Sequence, residues 1–181
     1  MIAEKNITTA KTVVEYPITK DRAKRHCHVD KTWRDDDAYI EDLIEAVTQE
    51  AENYIDKDIS YKSCENKYYD FSGEYIYINE GNFSSTISVV SDASVALTVS
   101  ETYPYNNYCR LDLSASNSSD PLVVKYYTGF EKEDCPAAMK QAILLRLKDY
   151  YDIHRGSMND FSLYNTMAFE RLLDPFKNTN A

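Results

Sequence analysis

The sequence predicts an α+β fold: a helical body built from a short N-terminal helix and two long helices, with a small antiparallel β region between the long helices and a C-terminal docking tail. Apolar residues recur at helical spacing at Ile40, Leu43, Ile44, Val47, Ala51, Tyr54 and Ile55, and again after Pro136 at Met139, Ala142, Ile143, Leu147, Tyr150 and Tyr151. Such i, i+3, i+4, i+7 stripes need an apolar partner surface. From about Ile59 to Tyr127 the period falls to two, the signature of half-buried strands.

In chain order, residues 1–15 are polar and weakly patterned, an N-terminal arm that is flexible or forms an edge strand at Thr12–Tyr16. Pro17 opens a short helix through about Cys27, with Thr19 as N-cap because its hydroxyl can accept from a free first-turn N–H. The triplet Asp35-Asp36-Asp37 stands where carboxylates cap N–H groups and favour the dipole of the first long helix, 38–55. Tyr75–Ile78 reads as a strand. Thr86–Val90 and Val95–Val99 flank Ser91–Ser94 as a hairpin. Tyr108–Leu113 and Leu122–Tyr127 are two further strands, separated by a turn at 117–121. Pro136 suits the first turn of the second long helix, and Gly156 suits the position just past its end. A short amphipathic stretch, Met167–Leu173, is halted by Pro175. The resulting division is an arm at 1–15, a main domain at 16–156 and a tail at 157–181.

Composition narrows the function. A chain of 181 residues can bury one substantial core. Its formal charge of −10 opposes gripping nucleic acid by its phosphates, although an acidic surface beside DNA prevents sticking. No apolar run approaches the roughly 20 residues of a membrane span, and the start of the chain lacks the basic-then-apolar layout of a secretory signal. Four cysteines stand singly, which reads as reduced thiols in a protein made in a cytoplasm. Sixteen tyrosines against one tryptophan suit half-exposed strands and subunit interfaces, or reflect compositional bias alone.

No reactive constellation emerges. His26-Cys27-His28 offers zinc-ligand types, but neighbours on a helix point about 100° apart and cannot share one ion easily. Asp30 with Asp35–Asp37 offers oxygen ligands but lacks the glycine and closing glutamate of a calcium loop. Glu131, Glu133 and Asp134 precede a helix N-terminus, where acidic side chains stabilise without catalysis. Four glycines form no phosphate-cradling motif. No catalytic residue, metal ligand or cofactor site is therefore expected, and the chain reads as an assembly protein.

Several stretches together resemble one family. Tyr16-Pro17-Ile18-Thr19, Ala23-Lys24 and Val29-Asp30 lead into the acidic triplet and the helix ending Asn53-Tyr54-Ile55. Tyr75–Ile78 and the following hairpin form the middle. Leu122–Phe130 then runs through Cys135-Pro136 to Lys140-Gln141-Ala142-Ile143-Leu144-Leu145, Tyr150-Tyr151 and His154-Arg155, and the chain closes on Phe169–Lys177. In order and spacing these segments resemble the phage head–tail connector (neck adaptor) family over residues 16–177. Cys27 and His28 stand where that family has Leu and Arg, and the arm and the 117–119 turn have no counterpart in it.

The resemblance implies a structural virion protein of the neck, made in the host cytoplasm, with no enzymatic activity. It implies a homo-oligomeric ring of about twelve copies beneath the portal protein. That ring extends the DNA channel and carries the next neck or tail protein. A dodecamer would hold about −120 of formal charge around DNA that passes without specific binding. The portal-docking residues so implied are Phe169, Leu172, Leu173 and Phe176 as anchors, with Arg171, Pro175 and Lys177 around them. Alternatives are another neck component, such as a stopper or tail-completion protein, or a small ligand-binding or hydrolase domain.

Overall fold

The computed structural model describes residues 7–69, 75–78, 83–91, 96–97, 99–104, 109–113, 122–154 and 163–177. They hold four α-helices and eight strands, an α+β fold. The chain divides into two compact units, Glu15–Ser60 with Phe130–Ala181, and Met1–Val14 with Tyr61–Gly129. The arm's strand joins the β unit, and the tail belongs to the helical unit.

In the helical unit, α1 (Lys20–His26) starts at Thr19, whose hydroxyl accepts from Arg22 N–H at 3.3 Å. This is the cap the sequence predicts. Helix α2 (Asp37–Ile55) buries Ile40, Leu43, Ile44, Val47, Thr48, Ala51 and Ile55. Thr48 is the polar member of that face, and its hydroxyl donates to Ile44 O at 2.6 Å. The helix ends at Asp56 in the left-handed region (φ 56°), a conformation aspartate tolerates. Glu52 then reaches past the end to accept from Ile59 N–H, Ser60 N–H and Ser60 Oγ at 2.9, 2.8 and 2.6 Å. Helix α3 (Ala137–His154) buries Met139, Ala142, Ile143, Leu144, Leu147 and Tyr151 in the same core as α2. A fourth helix, α4 (Leu163–Leu173), runs into one 3₁₀ turn at Asp174–Phe176.

The acidic triplet does not cap α2 in the expected manner. Asp36 is the N-cap residue, but its side chain makes no cap hydrogen bond. Its carboxylate instead accepts from Tyr151 Oη on α3 at 2.6 Å, and Asp37 pairs with Lys24 at 2.6 Å and Lys20 at 3.2 Å. Tertiary donors outcompeted the local N–H groups, because a charged or hydroxyl donor on a packed neighbour gives a shorter and stronger bond.

In the β unit, β1 (Ile7–Glu15), β2 (Tyr61–Tyr68), β4 (Phe83–Ser91), β5 (Ala96–Leu97) and β8 (Leu122–Thr128) form one sheet in the order β1-β2-β8-β4-β5. A second sheet orders β3 (Tyr75–Ile78), β7 (Cys109–Leu113) and β6 (Val99–Pro104) as β3-β7-β6. The expected hairpin appears in part as antiparallel β4–β5, with Val89 opposite Leu97 and Val90 opposite Ala96. The expected second strand Val95–Val99 does not hold as one strand, since Val99 opens β6 in the other sheet. Strands β7 and β8, although consecutive, lie in different sheets. The turn at 117–121 lies outside the described residues, as do most of the hairpin turn and Gly156. Alternation sorts the central pair: Cys64, Asn66 and Tyr68 share the buried face with Leu122, Val124 and Tyr126, while Glu65 and Lys125 meet on the other at 3.2 Å. Buried Asn66 donates its Nδ2 to Tyr126 Oη at 3.0 Å, which satisfies the amide N–H side that burial would otherwise penalise, while its Oδ1 is buried without a hydrogen-bond partner among the described residues. Among the described residues no helix is long and apolar enough to cross a membrane.

Candidate docking surface

The helical core positions the C-terminal segment. Phe169 and Leu173 stand four residues apart on α4, hence on one face, and both are buried in the core of α2 and α3, with Leu173 fully inaccessible. Phe169 meets Tyr54 of α2 at 6.0 Å between ring centroids. Arg146 of α3 lies 5.6 Å over the Phe169 ring and 4.9 Å over Tyr150. Its guanidinium is held by Glu50 at 2.6 Å, and Glu50 also accepts from Tyr150 Oη at 3.0 Å. The carboxylate beside it holds the Arg146 pKa above its ordinary value. Beyond α4, Tyr54 Oη donates to Asp174 at 2.7 Å, which pushes its pKa up to about 12. Lys177 Nζ sits 3.9 Å over the Tyr54 ring.

The seven docking residues implied by the resemblance therefore divide. Phe169 and Leu173 bury their side chains in their own chain, and Leu172 and Phe176 are half-buried against the same core. Arg171, Pro175 and Lys177 are exposed. The physical reason is that the apolar face of α4 finds a partner in α2 and α3 before any other protein is present. What it leaves outward is a short rim of mixed charge, in which Glu170, Arg171, Asp174 and Lys177 are exposed beside Pro175.

The remaining sequence candidates do not converge. Cys27 and Cys135 are buried in the helical core, and burial pushes both thiols up to about 11. His28 turns into the left-handed region (φ 58°) just past α1. Among the described residues no three His, Cys, Asp or Glu side chains come close enough to hold a metal ion. Sequence reasoning missed two polar centres, the Arg146–Glu50–Tyr150 network and the buried Lys24. Each charged residue borders an apolar stripe, Arg146 beside Ile143 and Leu147, and Lys24 beside Ala23 and Cys27. That position was the available signal.

The chain matches the model of the phage gp6-like head–tail connector proteins over residues 18–177. It belongs to that family. Chains of three solved assemblies share the connector's fold. One is the neck of an empty gene transfer agent particle computed with C6 symmetry (TM-score 0.67, 14% identity, 98% of this chain and 97% of that one). Another is the virion of the native gene transfer agent particle (0.65, 13%, 97% and 96%). The third is the neck of the native particle computed with C12 symmetry (0.64, 13%, 96% and 97%). No curated protein matches the sequence. The connector is thus a structural protein of the virion neck, from a family of structural parts and not of enzymes.

Proposed function

We propose that the connector forms a ring of about twelve copies beneath the portal protein, where it lengthens the DNA channel and gives the next neck or tail protein its platform. The observation that carries this reading is the family match across nearly the whole chain. Necks of similar fold computed with C6 and C12 symmetry support a cyclic assembly. The charge of −10 per copy suits a lumen through which DNA slides. Portal docking falls to the outward rim of the C-terminal segment, Arg171, Leu172, Pro175, Phe176 and Lys177, with Phe169 and Leu173 fixing that rim from beneath.

Electron microscopy of the connector mixed with the portal protein tests the assembly: a ring stacked on the portal is expected, and its absence at saturating concentration overturns it. Deleting the tail is a poor test of docking, since removal of Phe169 and Leu173 opens the core. Arg171→Glu with Lys177→Glu leaves that core intact. Portal binding is expected to weaken about tenfold or more, and undiminished binding removes the docking assignment.

A further inference from the structure

Charge is unevenly distributed along the helical unit. Residues 20–34 contain six Lys and Arg against two Asp, a net +4, in a chain whose total is −10. Residues 35–58 contain ten Asp and Glu against one Lys, a net −9. The only tryptophan, Trp33, lies in the basic block and is 47% exposed.

The loop carrying Trp33 is held from within. Buried Lys24 donates to Lys31 O at 3.4 Å, to Trp33 O and to the Asp37 carboxylate at 2.6 Å. Asp30 adds bonds to Thr32 N–H and Oγ at 2.7 and 2.6 Å. An ammonium group taken out of water needs a full set of acceptors, and here two of the three are carbonyls of the loop. The consequence is a fixed backbone presenting an open indole flanked by Arg34. A large aromatic with arginine on an ordered backbone anchors interfaces well, since little conformational freedom remains to be lost.

The complementary surface lies on α2. Asp42 and Glu45 point outward, exposed, and neither holds an ion partner among the described residues; the same is true of exposed Arg34. A ring with more than two members uses head-to-tail contacts between two different faces of each copy, and here Arg34, with exposed Asp30 and Asp35 near it in the loop, offers a cation opposite in sign to Asp42 and Glu45. We propose that the Trp33–Arg34 loop of one connector copy docks on the Asp42–Glu45 face of α2 in the next. This rests on the ring reading and names its contact. Duplex DNA is the weaker occupant, because a few cations on a strongly acidic chain neutralise few phosphates.

The single indole makes the test direct. Trp33 emission, excited where tyrosine does not absorb, is followed with acrylamide quenching as connector concentration rises, beside sedimentation to size the species. Assembly is expected to shift the emission to the blue and cut quenching severalfold. Arg34→Glu alone, or Asp42→Lys with Glu45→Lys, should raise the half-assembly concentration about tenfold or more, and combining all three should restore it to within about threefold. Rings that form with Trp33 still fully quenchable overturn this contact and leave the ring standing. A chain that never assembles, alone or on the portal, overturns both. Blue-shifted, protected Trp33 on adding a DNA duplex to the unassembled chain gives the face to nucleic acid and overturns the proposal.

Discussion

Lys24 shows how one residue sets the geometry around it. Its ammonium joins α1 to the following loop and to Asp37 at the head of α2. Lys24→Met keeps the bulk but strands those acceptors, and a loss of about 2 kcal/mol is expected in denaturant titrations, with faster amide exchange across 30–36. Hydrogen bonding to Lys24 also holds the Asp37 pKa below its ordinary 3.8, and the Lys132 partner does the same for Glu15 below 4.5. Both folded values are depressed, so their stabilisation is complete above the unfolded values and disappears as pH falls through the folded ones. His26 acts earlier. Burial, with help from Lys148, depresses its pKa below 6.5, so stability should begin to fall below about pH 6.5 and fall again below about pH 4.5. Thermal melts across pH check this; His26→Gln should remove the first step and Asp37→Asn should shrink the second. The buried thiols of Cys27 and Cys135, raised to about 11, should resist alkylation until the protein unfolds, as mass spectrometry of iodoacetamide-treated samples would record.

At the level of elements, helix α4 is an integral part of the core. Leu173 is fully buried and Phe169 nearly so, so Phe169→Ala should cost about 3–5 kcal/mol and Leu173→Ala about 2–5 kcal/mol. Limited proteolysis should then cut the C-terminal segment first. If either variant melts like the parent, α4 is an appendage and the docking rim lacks its foundation. The α2–α3 pairing has a polar latch as well as an apolar seam. Tyr151→Phe removes the bond to Asp36 while keeping the ring, and about 1 kcal/mol of destabilisation is expected in the same assay. Both helices were legible because their stripes are long and regular. The destination of α4 was not, since a short amphipathic helix fits its own chain or a partner equally well by pattern alone.

Across the whole molecule, the segment between the long helices is a β unit in its own right, with two sheets. Most of its strands were readable from alternation. Their pairing was not: β8 lies between β2 and β4, and β1 from the arm extends the sheet beyond β2. Alternation fixes which residues share a face but says nothing about which distant strand supplies the neighbouring backbone. Assembly belongs to this scale too. If oppositely charged faces guide it, raising salt from about 0.05 to 0.5 M should weaken ring formation several-fold, measured by sedimentation. Salt-insensitive rings would point to an apolar interface instead.

From the sequence alone came the helices, the β segment, the Thr19 cap, the absence of a recognisable catalytic motif and the order of motifs that marks a head–tail connector, because each rests on local periodicity, capping chemistry or linear spacing. Only the tertiary structure decided that Phe169 and Leu173 close the core, that Asp36 and Asp37 serve neighbouring helices, and that a buried lysine fixes the loop bearing Trp33. Those outcomes depend on which donors and surfaces packing brings within a few ångströms, and no residue carries that information by its own position in the chain.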